Sequence, residues 1–304
     1  MSIADQARKI LNHIRNPITR EIVEQPEQRA SESSVTILDY IYTPKQRASL
    51  SVSRIGEILD HWYVENQSAI SQAIQDFCSN KENFSRIPFQ SSDPLSPCWI
   101  NEFISPFDAT SIYGILASHN PRYYIEVGSG NTTLFANQSI IDNNLRTKII
   151  SIDPYPRAEI DSICHSLYRV PFEDMDLDFF KSLTHEDVFL VDNSHRSFPN
   201  SDVTVFFTEV LPCLPSGMLY ALHDIFLPSD YPPQWSILER RWYNEQYLLC
   251  SYILGGANGD SIVFPSHFLG NMASIFNMYN PLWGKGELFE NTPFGGVFFW
   301  MKKA

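Results

Sequence analysis

Two pairs of ionisable residues close two apolar runs of the chain, and their chemistry suits proton transfer or metal binding. Asp192 and His195 follow the run 187–191, and His223 and Asp224 follow the run 218–222. An imidazole accepts a proton near neutral pH, and carboxylates are hard ligands that suit Mg²⁺. A single histidine at the end of a strand is more often a hydrogen-bonded structural residue. Two such pairs at the mouths of neighbouring strands indicate a functional site.

A glycine turn must bring a ligand to these residues. The stretch from Tyr123 to Thr133 is typical of a buried strand, a glycine turn and the start of a helix. Gly128 and Gly130 break the strand and let the backbone approach a ligand closely. Asn131 follows as a good helix-capping residue, so free backbone N–H groups should point into the turn. The pattern predicts a site for a nucleotide-like ligand at the carboxyl end of the strand.

A second apolar run, Lys148 to Ile152, ends in the acid Asp153. It lies at roughly the spacing at which nucleotide-binding folds place a carboxylate on the ribose hydroxyls. An ordinary strand-turn-helix remains the alternative, because Thr133 stands where G-x-G-x-x-G has its third glycine.

Glu126-x-Gly128-x-Gly130, with Asp153 ending the next strand, resembles the cofactor site of class I S-adenosylmethionine-dependent methyltransferases. The resemblance covers about residues 106–304. It implies that Glu126 lies near the methionine end of the cofactor, that Asp153 binds the ribose and that Phe172 contacts adenine, although a core aromatic is an equal interpretation of Phe172. The implied cofactor-binding residues are Glu126, Gly128, Ser129, Gly130, Asn131, Asp153, Phe172 and Asp192.

The run Asp192-Asn193-Ser194-His195, with an acid ending the next strand, resembles the metal-dependent sugar O-methyltransferases that act on macrolide antibiotics. On that resemblance His195 is the general base, and Asp192 and Asp224 bind a divalent metal. Those enzymes have an acid where this chain has His223. His223 is therefore either a ligand that favours a softer metal than Mg²⁺, or a second acid, base or orienting group without a metal. Asp192, His195 and His223 are the predicted catalytic residues, and Asp192, His223 and Asp224 the predicted metal ligands.

The predicted activity is methyl transfer from S-adenosylmethionine to a hydroxyl of a small molecule, such as a sugar or natural product. Two other classes stay open. A NAD-dependent oxidoreductase could use the same fold, although Glu126 and Thr133 argue against it. A metal-dependent, hydroxylase-like or non-catalytic relative could bind the cofactor without methylating, and His223 keeps that alternative open.

The composition of the chain argues against some classes of binding partner. The chain has 304 residues and a formal net charge of −13, which argues against a nucleic-acid partner. The five cysteines are scattered without a C-x-x-C pair and predict free thiols in a reducing compartment. The N-terminus has no apolar signal core, and no apolar run approaches the roughly 20 residues of a membrane span. We predict a cytoplasmic protein without a membrane partner.

Alternating strand and helix patterns predict an α/β fold. We expect a doubly wound, mostly parallel Rossmann-like sheet with helices on both faces and an antiparallel C-terminal edge pair without an intervening helix. Predicted strands span about 123–128, 148–153, 167–170, 187–192, 218–224, 260–264 and 296–301. Predicted helices include 51–78, 108–118, 131–141, 156–165, 200–213 and 234–249.

Prolines near residue 105 mark a domain boundary. Residues 1–105 are predicted as a mostly helical extension, with helical spacing at Ile3–Ile14 and an extended segment at Val35–Leu38. This extension packs on the domain, forms a homo-oligomer or closes over the substrate as a lid. Residues 106–304 form the methyltransferase-like domain. Its aromatic segment 268–294 is either core, a flap over the acceptor or a subunit interface.

Overall fold

The computed structural model describes residues 53–279 and 295–304, together with Ile22–Val23 and residues 44–45. The expected helix at Ile3–Ile14 and the extended segment at Val35–Leu38 lie outside the described residues. So does the part of the aromatic segment from residue 280 to 294.

A single mostly parallel sheet organises the molecule. Its strands run in the order β1-β4-β3-β2-β5-β6-β8-β7, and only β7 and β8 are antiparallel to their neighbours. From the central strand β2, the strands β3 and β4 follow on one side, and β5 and β6 follow on the other. Because the direction of winding reverses at β2, the crossovers on the two sides cover opposite faces of the sheet. The predicted doubly wound sheet with its antiparallel C-terminal pair is confirmed. The strands are β1 (Ile22–Val23), β2 (Tyr123–Val127), β3 (Lys148–Ile152), β4 (Ser166–Tyr168), β5 (Val188–Val191), β6 (Leu219–Leu222), β7 (Ser261–Pro265) and β8 (Phe299–Lys302).

The strands are buried apolar runs, and the helices join their ends. Every residue of β5 and β6 is buried, as expected for central strands covered on both faces. The helices are α1 (Arg54–Cys78), α2 (Lys81–Phe84), α3 (Pro106–His119), α4 (Asn131–Asp142), α5 (Leu177–Lys181), α6 (Asp202–Val205), α7 (Leu211–Cys213), α8 (Glu245–Leu254), α9 (Ser266–Gly270) and α10 (Ala273–Tyr279), with π-helical turns at Phe206–Val210 and Gln234–Leu238 and 3₁₀ turns at Phe172–Asp174 and Ala257–Gly259.

The long helix α1 packs on the C-terminal half of the domain. The Phe77 ring lies edge-on to Phe264, with 5.6 Å between centroids. The indole of Trp62 donates to the carbonyl of Ile262 at 2.9 Å. This part of the predicted extension therefore contributes to the main core. An oligomeric role for the extension stays a prediction.

Two helix predictions were wrong in detail. Residues 154–165 form bends and a turn instead of a helix over 156–165. Their N–H groups find other partners, since Arg157 donates to the Ser129 carbonyl and Ile163 to that of Ile160 rather than to a residue four earlier. The helix expected over 234–249 is divided. A π-helical turn ends at Leu238, Arg240 and Trp242 adopt left-handed backbone, and α8 begins only at Glu245.

A further prediction, at the C-terminal side, was also wrong. The helices α9 and α10 separate β7 from β8, where no helix was expected.

Asp108 joins α3 to the last strand. Ser105 caps α3, and its hydroxyl accepts from the Asp108 N–H at 3.1 Å. The Asp108 carboxylate instead accepts from the backbone N–H groups of Val297 and Phe298 and so joins α3 to the last strand.

Within the described part of the chain, no helix combines the length and apolar character needed to cross a membrane.

Candidate active site

The glycine turn follows β2 at the carboxyl edge of the sheet. Gly128 has a φ of 75°, and a Cβ placed on it would lie 1.8 Å from the carbonyl oxygen of Asp192. Only glycine therefore fits at this position. Gly130 precedes α4 with a φ of 176°, which is extended backbone open to any residue, and an added Cβ would meet nothing within 4 Å.

Asp153 closes the turn from the end of β3. One carboxylate oxygen accepts from the backbone N–H of Ser129 at 2.8 Å, and the other accepts from that of Tyr155 at 2.8 Å. These two bonds fix the carboxylate at the turn, where the sequence placed an acid for the ribose.

A cavity of about 490 Å³ opens at this turn. Its lining includes seven of the eight predicted cofactor residues, namely Gly128, Ser129, Gly130, Asn131, Asp153, Phe172 and Asp192. The cavity is also lined by four residues that no sequence motif indicated, namely Phe103, Tyr155, Arg157 and Asp202. Phe103 comes from the predicted N-terminal extension, and the Arg157 guanidinium lies 5.6 Å from the centre of its ring.

Phe172 belongs to the core and also lines the cavity, and its contact with adenine stays a prediction. It is 4% exposed and packs edge-on against Phe180, with 5.4 Å between ring centroids. It also lines the cavity just after β4. A single aromatic ring thus joins the cavity wall to the core.

Glu126 is the eighth predicted cofactor residue, and it does not line the cavity. Its carboxyl group is fully buried beneath the turn and accepts from the hydroxyls of Tyr124 and Thr133. The Thr133 hydroxyl in turn accepts from the Gly130 N–H at 3.0 Å. As placed, Glu126 supports the turn from below. Burial raises its pKa from 4.5 to about 8, against the lowering effect of its hydrogen bonds.

This raised pKa predicts a pH-dependent contribution of Glu126 to stability. Between pH about 5 and pH about 8 the folded protein keeps a proton on Glu126 that the unfolded chain has lost, so the free energy of unfolding falls as pH rises. Each unit of pKa shift corresponds to about 1.4 kcal/mol. Glu126→Gln keeps the shape and removes the titration. We expect the difference in unfolding free energy between wild type and variant, measured by chemical denaturation, to decline steadily over this range. A difference that stays constant with pH would contradict the buried, protonated carboxyl.

Four ionisable residues converge at the ends of β5 and β6, as predicted. The Nε2 atom of His195 lies 3.2 Å from Asp192 Oδ1 and 3.3 Å from Asp224 Oδ2. The Nδ1 atom of His223 lies 3.2 Å from Asp192 Oδ1 and 3.6 Å from Asp224 Oδ1. Asp192 also lines the cofactor cavity, so the cluster adjoins it. His195 and Asp224 have φ values of 59° and 55°, a strained backbone for such residues that is common at functional sites.

Glu245 is a site residue that sequence analysis missed. Its side chain is fully buried at the start of α8, and Oε2 lies 2.9 Å from His195 Nδ1. An acid in the first turn of a helix has an ordinary explanation in the helix dipole. Nothing local in the sequence indicates a partner fifty residues earlier.

The charges in this cluster shift one another's pKa values. Burial disfavours ionisation of Asp192, but the neighbouring charge of His223 and hydrogen bonds from both histidines hold the pKa of Asp192 well below its usual range. Burial alone would lower the pKa of His195, yet hydrogen bonds to Asp192 and Glu245 raise it well above 6.5. Burial opposes the charge of His223 in the same way, and Asp192 and Asp224 raise its pKa to about 9.

The cluster also has the composition of a metal site. Asp192, His195 and His223 each offer one ligand atom, and these atoms lie within 4.8 Å of one another. Asp224 adds a second carboxylate beside both imidazoles. Asp192 and Asp224 offer oxygen ligands, and the two histidines offer nitrogen ligands, within one buried cluster. The donor set therefore fits a divalent cation.

Part of the chain is similar to a known family of protein domains. Residues 125–225, about a third of the chain, match the family model described as a methyltransferase domain. This segment carries the glycine turn, Asp153 and both Asp–His pairs, so the residues that carried the predicted resemblance lie in a methyltransferase-like segment, while the domain bounds 106–304 stay a prediction. The search of curated proteins gives no match.

Three solved structures illustrate the similarity. An SAH-bound methyltransferase from Podospora anserina is 13% identical, with a TM-score of 0.39, over 79% of this chain and 95% of that one. An O-methyltransferase from Bacillus cereus in complex with SAH is 10% identical, with a TM-score of 0.36, over 80% and 97%. A branched-chain polyamine synthase from Thermus thermophilus is 10% identical, with a TM-score of 0.39, over 77% and 64%.

Proposed function

We propose that this S-adenosylmethionine-dependent methyltransferase transfers the methyl group to a hydroxyl of a small molecule. The observation that carries the proposal is the position of His195 Nε2, which is buried 3.2 Å from Oδ1 of Asp192, a residue that lines the cofactor cavity. A hydroxyl is a poor nucleophile until its proton leaves, and a histidine aligned with the reacting centre can accept that proton in its neutral form. Because the pKa of His195 is raised, the neutral base forms only as pH rises, so turnover should increase towards alkaline pH.

The charge of the cavity supports the cofactor. The carboxylates of Asp153, Glu173, Asp192 and Asp202 line it, and among the described lining residues only Arg157 is cationic. S-adenosylmethionine carries a sulfonium and an ammonium group, which such a cavity attracts. The pyrophosphate of NAD would meet repulsion there. The cavity chemistry therefore favours methyl transfer over hydride transfer.

A divalent cation would be held by Asp192, His223 and Asp224, which leaves His195 to act as the base. The His223 imidazole favours Mn²⁺, Fe²⁺ or Zn²⁺ over Mg²⁺. When bound, such an ion lowers the pKa of a coordinated hydroxyl. The chain's own contribution is to keep His195 and the carboxylates in a buried frame beside the cofactor.

Aromatic residues beside His195 support a small organic acceptor, such as a sugar or another natural product. The Tyr243 ring lies 4.6 Å from that of His195, measured between centroids. Tyr243 also lines a second cavity of about 90 Å³ with Tyr231 and Trp235, and Asp230 and Arg241 add charged groups. Aromatic walls with a few polar groups are typical of sites for small molecules, whose pockets measure about 300–1,000 Å³, so this cavity would hold only part of the acceptor.

Calorimetric titration of the protein with SAH, S-adenosylmethionine and NAD tests the cofactor, each in the presence of Mn²⁺ or of a chelator. We expect micromolar binding of the first two and no binding of NAD. Release of SAH on addition of hydroxylated acceptors, compared with matched acceptors whose hydroxyl is blocked, tests the transfer. The proposal would be overturned if only NAD bound, or if SAH were released equally fast with the free and the blocked acceptors.

The donor set also favours a second candidate function, an oxygen-using metal enzyme that retains the cofactor cavity. His195, His223 and Asp192 match the two imidazoles and one carboxylate of non-haem iron oxygenases. Metal analysis of the purified protein separates the candidates. Tightly held iron, together with oxygen uptake in the presence of a substrate, would favour this second function.

A further inference from the structure

We infer that Glu245 is the positioning residue of the site, which keeps the proton of His195 on Nδ1 and so presents Nε2 to the acceptor. This inference rests on the proposed function for the role of His195. It concerns a residue outside the matched domain segment, which ends at residue 225.

Burial and hydrogen bonding place the proton. Glu245 is fully buried, and its Oε2 lies 2.9 Å from His195 Nδ1. Among the described residues, Glu245 Oε1 has no hydrogen-bond partner. Without the Nδ1–H donor, the Glu245 carboxylate would be a desolvated charge with no hydrogen bond at all, which is costly.

The carboxylates on the other side of the ring do not depend on His195 in the same way. Asp192 also lies within 3.2 Å of His223 Nδ1, and its side chain is 21% exposed along the cavity. Asp224 is 12% exposed and lies 3.6 Å from the same nitrogen of His223. Because both carboxylates also lie near His223 Nδ1, they keep a hydrogen-bond donor when His195 Nε2 carries no proton, which is the form that can accept one from the acceptor.

Residues next to Glu245 also hold the His195 ring in place. The Asn244 N–H donates to the His195 carbonyl at 2.9 Å, and the Asn244 side chain accepts from the Ser197 N–H at 2.7 Å. The Tyr243 ring packs against the imidazole. Three consecutive residues therefore clamp the strained His195 backbone and fix its ring.

The test compares two substitutions with a matched control. Glu245→Gln keeps the shape and an acceptor oxygen but loses the charge, and Glu245→Leu removes the acceptor. Asp260→Asn is the control, because Asp260 is also a buried carboxylate, bonded to Lys303 at 2.9 Å and to Tyr220 at 2.7 Å in a separate network. The first readout is the Nδ1–H proton resonance of His195 in ¹⁵N-edited NMR, assigned by its absence from His195→Asn.

In the wild type we expect a slowly exchanging, downfield Nδ1–H resonance. It should move upfield in Glu245→Gln and disappear in Glu245→Leu, while Asp260→Asn leaves it in place. In methyl-transfer assays, kcat should fall about 100-fold in Glu245→Leu and less in Glu245→Gln, with the Kd for SAH within about twofold of wild type. If the leucine variant does not fold, the upfield shift in Glu245→Gln decides the question.

An unchanged Nδ1–H resonance in Glu245→Gln would overturn the inference. So would an equal loss of kcat in Asp260→Asn, which would mean that any buried carboxylate matters equally. The NMR readout needs no acceptor. A wild type with the expected resonance but no transfer to any hydroxyl would therefore refute the proposed function while leaving the position of Glu245 established.

Discussion

His195→Ala is expected to lower kcat by about 10²–10⁴-fold, the usual contribution of a general base, while the Kd for SAH stays within about twofold of wild type. The two quantities separate because His195 does not line the cofactor cavity, whereas Asp192, its neighbour, does. The rate of SAH release at saturating substrates gives kcat, and calorimetric titration gives the Kd for SAH.

Removal of His195 also exposes its carboxylate neighbours to one another. Asp192, Asp224 and Glu245 all lie within 3.3 Å of its ring nitrogens, so the alanine variant should lose stability as well. His195→Asn is the appropriate companion. Asparagine tolerates the left-handed backbone at φ 59° and keeps an N–H donor, yet it cannot act as a base.

We therefore expect Asn and Ala variants with similar losses of kcat but with better stability for Asn. If cofactor affinity falls as much as kcat in both variants, His195 is not the base. If Asn retains the wild-type kcat, only the hydrogen bond at this position matters, and the base must be another residue.

The sequence predicted the parts of the site that depend on local patterns. Gly128, Gly130 and Asp153 follow apolar strands, and parallel topology brings the carboxyl ends of such strands to one edge of the sheet. The same rule brought Asp192 and His223 together, although the run 187–192 and the run 218–224 are separated by a helical segment. The hydrophobic pattern and the sheet topology were sufficient to place these residues, because each one directly follows a strand that the pattern predicts.

What the sequence could not predict depends on contacts between distant segments. Glu245 reaches His195 only because helical geometry fails at Arg240 and Trp242, and no periodic pattern predicts that interruption. Glu126 was expected beside the cofactor, but the hydroxyl of Thr133 draws its carboxyl group under the turn. Side-chain direction at the end of a strand is decided by tertiary partners, which the order of residues alone does not specify.

Phe103 shows how the predicted N-terminal extension and the cofactor cavity are related. The ring is 49% exposed and stands in the cavity wall with Arg157 above it. Exposed aromatic rings beside a cavity are available to stack on a planar ligand. The extension thus supplies a side chain to the cavity, and its role as a lid stays a prediction.

Gly128→Ala is expected to have the largest effect on folding of any single methyl group added to this turn. A left-handed backbone costs an alanine about 1–2 kcal/mol. In addition, the new Cβ would lie 1.8 Å from the Asp192 carbonyl oxygen, so β2 and β5 must move apart or the turn must change conformation. We expect the free energy of unfolding to fall by more than about 3 kcal/mol, typical of overpacking combined with backbone strain.

Gly130→Ala is the matched control two residues away. Its backbone is extended and an added Cβ meets no atom within 4 Å, so stability should stay within about 1 kcal/mol of wild type. Gly130 lines the cavity, however, so its new methyl group should weaken SAH binding. The pair therefore separates two functions of one turn, since Gly128 lets the strands close and Gly130 leaves room for the ligand. Chemical denaturation and calorimetry of both variants measure this separation, and equal losses of stability would show that the turn is not fixed by the approach of Gly128 to Asp192.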